Sequence, residues 1–227
     1  MEQSGGFGIV KTAAPLRLQV FEGLRQAIIS GRLRPGQRLI ERELTDMMMV
    51  SRTVIREVLR QLEAEGLVAM VPNRGPVVRE LTREEATDLY RVRAVLEGFA
   101  ARLFAENATD AEVQALAQRL DEVEAAYLRG EVDDILRTKN GFYAALAEGA
   151  RSETLGQMIA TLHARIWRWR ALGLGHPDRA ADRSKTCVCN LRAVVTAIAA
   201  RDGGEAEARM RRETQEAAAE AIRLVGR

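Results

Sequence analysis

Along most of the chain apolar residues recur every three or four positions, the period of an amphipathic α-helix rather than the two-residue alternation of a strand. In LRLQVFEGLRQAIISG, residues 16–31, Leu16, Val20, Leu24, Ala27 and Ile28 keep that spacing up to Gly31, which predicts a first helix. Pro35 and Gly36 mark a turn, and a shorter helical stretch follows over 41–48. A third helix is expected between Ser51, whose hydroxyl suits an N-cap, and Gly66, placed to end it. The period then changes. LVAM at 67–70 and PVVREL at 76–81 are β-compatible runs flanking Val71-Pro72-Asn73-Arg74-Gly75, whose Pro, Asn and Gly favour a tight reversal. Three helices followed by a hairpin predict a winged helix-turn-helix over residues 11–80.

Beyond residue 82 the helical period returns. Thr82 with Glu85 and Thr109 with Glu112 each fit a capping box, in which hydroxyl and carboxylate satisfy the free backbone N–H groups of a helix start. Between them Leu89, Val92, Leu96, Phe99, Ala100 and Leu103 predict a buried stripe. Similar stripes over 113–128, 132–148, 155–172, 188–200 and 206–225 are broken by Gly130, by Gly149 to Ser152, by GLGHPD and by DGG. The expected chain is mainly α: a flexible tail at 1–10, the winged unit at 11–80, then an all-α bundle of about six helices at 83–227 for ligand binding and dimerisation.

Composition narrows the function classes. A chain of 227 residues holds two modest domains, each able to bury a core. No apolar run is long enough to span a bilayer, and MEQSGGFGIV lacks the basic start and apolar stretch of a secretory signal, so a cytoplasmic protein is expected. Cys187 and Cys189 are too close in sequence for an easy disulfide and lack zinc or redox spacing, which predicts reduced, structural residues. The formal charge of +2 conceals an asymmetry: residues 11–80 hold twelve Lys and Arg against eight Asp and Glu, while the positions after 80 hold 22 against 23. A polyanion would be drawn to the N-terminal third. No Gly-rich phosphate loop, nucleophile elbow or Ser/His/Asp set is visible, so catalysis is not expected.

The segment VSRTVIREVLR, residues 50–60, sets Arg52, Arg56 and Arg60 four apart on one face, with Val50, Ile55, Val58, Leu59 and Leu62 mainly on the other. An isolated arginine stripe is more often a solvated face. Here the turn before it, the hairpin after it and the local positive charge all favour DNA. The second helix of a helix-turn-helix enters the major groove by its N-terminal residues, here Ser51, Arg52, Thr53 and Arg56, and arginine can grip guanine with two hydrogen bonds. Arg74 at the hairpin tip suits a phosphate backbone or a minor groove.

From Leu24 to Val78 the chain resembles, without a gap, the DNA-binding domain of the GntR family of bacterial transcription regulators, carried by PG-x-x-L, VSRT, RE-x-L and LE-x-EGLV. The resemblance implies DNA contacts at Arg42, Ser51, Arg52, Thr53, Arg56 and, in the wing, Gly75. Met49 stands where the family has a turn glycine, and Val54 where it has proline. LYRVRAVLEGFAARLFAE and FYAALAEGARSETL resemble segments of the FCD ligand-binding domain of the FadR-type subgroup. Many members hold a divalent metal with an Asp-x-x-x-His pair and two later histidines, positions that correspond here to Lys139, Tyr143, Leu191 and Glu213. Leucine and a protonated lysine offer no ligand, so neither a metal nor another cofactor is expected.

Lys139 and Tyr143, one turn apart, together with Arg93 would instead present an ammonium, a phenol and a guanidinium to a carboxylate. His163, Leu191 and Glu213 complete the expected effector pocket. The same residues also fit a different arrangement, with Lys139 solvated, Tyr143 in the core and Arg93 paired with Glu97 one turn along. His163 is expected to be packed or pocket-lining, and His176 to lie in a loop. Trp167-Arg168-Trp169-Arg170 fits a cavity wall or an inter-subunit surface, although the two tryptophans must face different ways.

The expected protein is a homodimeric transcription regulator, most often a repressor, on a two-fold related double-stranded operator, released, or less often recruited, when a small effector, a carboxylate in character, shifts the bundle between arrangements coupled through the joint at 80–83. Two alternatives remain open. One is the same regulator with a metal on Asp134, Asn140 and Glu213; the other is an architectural DNA-binding protein without an effector.

Overall fold

The computed structural model describes residues 14–225, divided between Glu80 and Leu81 into two compact units. The expected tail at 1–10 lies outside the described residues. In the first unit α1 (Ala14–Ile29), α2 (Glu41–Met48) and α3 (Arg52–Ala64) precede β1 (Val68–Val71) and β2 (Gly75–Val78), an antiparallel pair in which Val68 faces Val78 and Val71 faces Gly75. The core forms where the apolar stripes meet: Val20, Leu24 and Ile28 of α1, Leu44 of α2, Ile55, Val58, Leu59 and Leu62 of α3, and Val77 and Val78 of the hairpin are all buried. Burying one face of α3 leaves Arg52, Arg56 and Arg60 exposed on the other.

Local chemistry sets the corners. The Ser51 hydroxyl accepts a hydrogen bond from the Val54 amide at 3.3 Å and so caps α3. The hairpin reverses with Pro72 and Asn73 at the turn centre, Asn73 at φ 60° and the Arg74 amide bonded to the Val71 carbonyl at 3.1 Å, the pattern of a type II turn.

The second unit contains, among the described residues, the six helices α4 (Arg83–Asn107), α5 (Asp110–Arg129), α6 (Val132–Gly149), α7 (Glu153–Leu174), α8 (Arg183–Ala199) and α9 (Gly203–Val225). Both capping boxes are formed, at Thr82 with Glu85 and at Thr109 with Glu112. The main core lies between all six helices around Phe104, Leu116, Leu120, Phe142, Leu146, Ile159, Leu191 and Ile198. Gly149 lets α6 close on α4, because a Cβ there would stand 2.1 Å from the Phe104 ring.

The buried side of α4 differs from the expected stripe. Val92 and Phe99 are exposed at 42% and 44%, whereas Tyr90, Arg93, Glu97, Ala101 and Phe104 face inward. A polarity pattern assigns charged residues to the surface, but Arg93 and Glu97 neutralise each other and enter the interior as a pair.

A candidate DNA-reading surface and effector cavity

The first unit gathers the expected DNA contacts on α2, α3 and the wing. Ser51, Arg52, Thr53 and Arg56 at the start of α3 are exposed, as is Arg42 on α2. Arg52 has no carboxylate partner among the described residues, which leaves its five donors for a ligand. Two other arginines are engaged. Arg56 donates from Nε to Glu41 at 2.8 Å, tying α3 to α2, and Arg74 folds back to donate to the Gly36 carbonyl at 3.0 Å. Arg74 nonetheless stays exposed on the hairpin. Gly75 holds φ 80° with open space around it, a backbone angle that side chains resist.

In the second unit an open-mouthed cavity lies against α4 to α9. Its wall includes Tyr90 and Arg93 of α4, Tyr127 of α5, Lys139 of α6, Arg170 of α7, Arg179 from the connection after α7, Arg183 and Cys187 of α8, and Glu220 of α9. Lys139 is buried, not solvated, and donates to Cys187 Sγ at 3.1 Å and Tyr127 Oη at 3.4 Å. Burial opposes its charge, but the surrounding sulfur, the phenols and Glu213 outweigh burial and hold the amine protonated.

Next to the wall lies a closed polar network. The fully buried Glu97 carboxylate accepts from Arg93 Nε at 2.7 Å and Thr214 Oγ1 at 2.7 Å, and lies 2.5 Å from His163 Nε2. Burial alone would raise the Glu97 carboxyl; the Arg93 charge and the hydrogen bonds override it and hold the group down at about 2. Burial, helped by Arg93 and Arg170, outweighs the pull of Glu97 on His163 and lowers it to about 4. The imidazole is therefore neutral and gives its Nε2–H to Glu97. Tyr143 packs edge-on against His163 with ring centroids 4.8 Å apart, and burial pushes its phenol up.

Of the six residues expected in the effector pocket, then, Arg93 and Lys139 line the cavity. His163 and Tyr143 belong to the network that positions Arg93. Glu213 accepts from Arg183 at 3.1 Å and Asn190 at 2.8 Å, while Leu191 sits in the hydrophobic core. Arg93 pairs with Glu97 and Tyr143 is a core residue, as in the alternative arrangement. The sequence reading missed Tyr90, Tyr127, Arg179, Arg183 and Glu220; for Arg170 the cluster 167–170 was a usable signal, and its tryptophans do diverge, Trp169 buried and Trp167 half-buried. His176 is a loop residue whose Nδ1 accepts from the Asp178 amide. Cys187 and Cys189 are both free.

The donor set at the family's metal positions does not fit a divalent ion. Lys139 is protonated, the Tyr143 phenol is pushed up, Leu191 has no donor atom, and Glu213 is occupied by Arg183 and Asn190. Of the other candidate set, Asp134 is held by Arg129 and Arg137, and Asn140 accepts from Arg170. Among the described residues no three His, Cys, Asp or Glu side chains are grouped to hold a metal, and no helix is long and apolar enough to cross a membrane.

Comparison with known proteins agrees with this geometry. Residues 16–78 match the bacterial regulatory proteins of the gntR family, and residues 88–216 match the FCD domain. The chain is 30% identical over 167 residues to the HTH-type transcriptional regulator YdhC of Bacillus subtilis, covering 73% of this chain and 75% of that one. It is 34% identical over 155 residues to the Nta operon transcriptional regulator of Aminobacter aminovorans, covering 65% and 72%. Its fold matches the structure of Escherichia coli McbR/YncC with a TM-score of 0.79 at 24% identity over 92% of this chain and 97% of that one. With its helix-turn-helix and wing matching the one domain and its helical bundle the other, the chain belongs to the GntR family of DNA-binding transcription regulators, in the branch that carries an FCD domain.

Proposed function

We propose that this regulator is a cytoplasmic homodimeric repressor whose hold on a two-fold related operator is released by a small organic acid bound in the bundle cavity, without a metal ion as intermediary. The observation that carries this reading is the cation-rich wall: Arg93, Lys139, Arg170, Arg179 and Arg183 converge on one cavity in whose wall Glu220 is the one acidic side chain among the described residues. Guanidinium and ammonium groups in a partly desolvated cleft select anions. Ser51, Arg52, Thr53 and Arg56, with Arg42 and the wing residues Arg74 and Gly75, form the DNA-binding surface. Homodimerisation is supported by Val92, Val95 and Phe99, an apolar stripe that one chain leaves exposed on α4.

The test is fluorescence anisotropy on a duplex selected from a random pool by the protein itself. Affinity is expected to fall roughly 10³-fold or more between 50 and 200 mM salt, because phosphate contacts release counterions. Organic acids added after EDTA dialysis are expected to release the duplex. Flat salt dependence, or release that requires a restored divalent metal, would sink the proposal.

A further inference from the structure

The cavity wall carries more positive charge than its own carboxylates answer. Arg93 is matched by Glu97, Arg183 by Glu213 through Nη2, and Glu220 by Arg223 at 2.9 Å. Among the described residues three cations donate hydrogen bonds only to neutral acceptors: Lys139 to a thiol and a phenol, Arg170 to the Asn140 amide oxygen at 2.7 Å, and Arg179 to the Ser184 hydroxyl at 2.7 Å. Arg179 is half-buried and reaches water at the mouth, but Lys139 and Arg170 are 7% exposed each and cannot be screened that way. Two donors are also left over, since Arg170 Nη2 and Arg183 Nη1 are buried without an acceptor among the described residues. Buried guanidinium nitrogens without partners are rare in folded proteins and mark places where an acceptor belongs.

We infer that the cavity is built for a compact organic dianion, whose two negative charges answer Lys139 and Arg170 and whose oxygens take the free donors of Arg170 and Arg183. A neutral sugar would supply acceptors but leave both charges unanswered, and a monocarboxylate would leave one. Arg179 at the mouth steers the anion inward, and Tyr90 and Tyr127 close the sides. This inference rests on the effector reading above and adds the charge class to it.

The experiment is thermal melting of the full-length, EDTA-dialysed protein at fixed ionic strength and pH 7.5 with succinate, glycerol 3-phosphate, acetate, lactate or glycerol. A ligand raises the midpoint only if the native state binds it. Succinate, glycerol 3-phosphate or both are expected to raise the midpoint, acetate, lactate and glycerol far less, and the two positive arms separate a dicarboxylate from a phosphomonoester. Lys139→Met and Arg170→Gln are each expected to weaken the dianion at least tenfold. Arg179→Gln, at the half-buried mouth, serves if either buried variant fails to fold, with a several-fold loss. Shifts from lactate equal to those from succinate, or a dianion shift retained in every folded variant, would overturn the charge class while leaving an organic-acid effector in place. No shift from any acid would overturn both.

Discussion

Met49 adopts φ 53° and ψ 41° at the end of α2 with 91% of its surface exposed, so it bears the strain of a left-handed backbone and gains no burial in return. Such a conformation costs an L-residue about 1–2 kcal/mol, and glycine avoids it at the expense of a freer unfolded chain. Met49→Gly is expected to stabilise the protein by about 0.5–1 kcal/mol, read as a higher urea midpoint at unchanged slope. The resemblance located this departure because turn chemistry is local. The Glu97 network has the opposite character: its partners come from α4, α7 and α9, and only Arg93 at one helical turn was foreseeable from spacing. Its pH signature follows from the signs. His163 has a folded value of about 4, below the ordinary 6.5, so the unfolded chain takes up the proton first, and the stability tied to neutral His163 is full above about 6.5 and lost as pH falls towards 4. That interval corresponds to about 3 kcal/mol. His163→Gln, which keeps an N–H for Glu97, is expected to flatten the stability profile over that window while the native protein loses stability there. Glu97 acts lower, its share fading from the ordinary 4.5 down to about 2.

At the scale of elements, α3 and α4 show what periodicity can and cannot say. Both faces of α3 follow from the spacing, because its core side is apolar and its outer side carries the arginines. In α4 the apolar positions wrap the helix, so spacing alone could not choose which side faces the interior, and the buried ion pair misled the choice. Helix starts were legible at Ser51, Thr82 and Thr109, where the cap makes its own hydrogen bond, but not at Ser152, which caps α7 in the same way without a partner carboxylate to mark it. The cavity wall was largely not legible. Arg179 and Arg183 come from the connection after α7 and the first residue of α8, where no period exists, and they meet Lys139 only through tertiary packing. The exposed end of α3 carries its own prediction. Arg52→Ala is expected to weaken binding to the selected duplex by roughly 1–3 kcal/mol and to relax preference at one base position, whereas Arg42→Ala, if its contact is to phosphate, lowers affinity evenly across sequences and flattens the salt slope by about one. Equal affinity for wild-type and Arg52→Ala protein would remove Arg52 from the reading surface.

For the whole molecule, the order of elements along the chain was enough to give two units, since a winged motif and a helical bundle differ in period and the boundary falls beside the Thr82 cap. The proposed association of two chains was not written so directly. Val92 and Phe99 read as core by spacing, yet a single chain leaves them exposed at 42% and 44%, beside Val95 at 46%, on one face of α4. Contiguous exposed apolar side chains on a long helix mark a contact surface, and a second copy of the same face would cover them by two-fold symmetry. Two linked reading helices bind two half-sites with an affinity gain of about 10²–10⁴ over one. Replacing Val95 and Phe99 together by Glu places like charges on that face without touching the buried side of α4. Light scattering is expected to show a monomer with unchanged helical content, and affinity for the two-fold duplex is expected to fall by that 10²–10⁴ factor while affinity for an isolated half-site stays the same. A doubly substituted protein that remains dimeric would move the interface to another face, and a monomer that still binds the full duplex tightly would show that dimerisation is not what gives this regulator its hold on DNA.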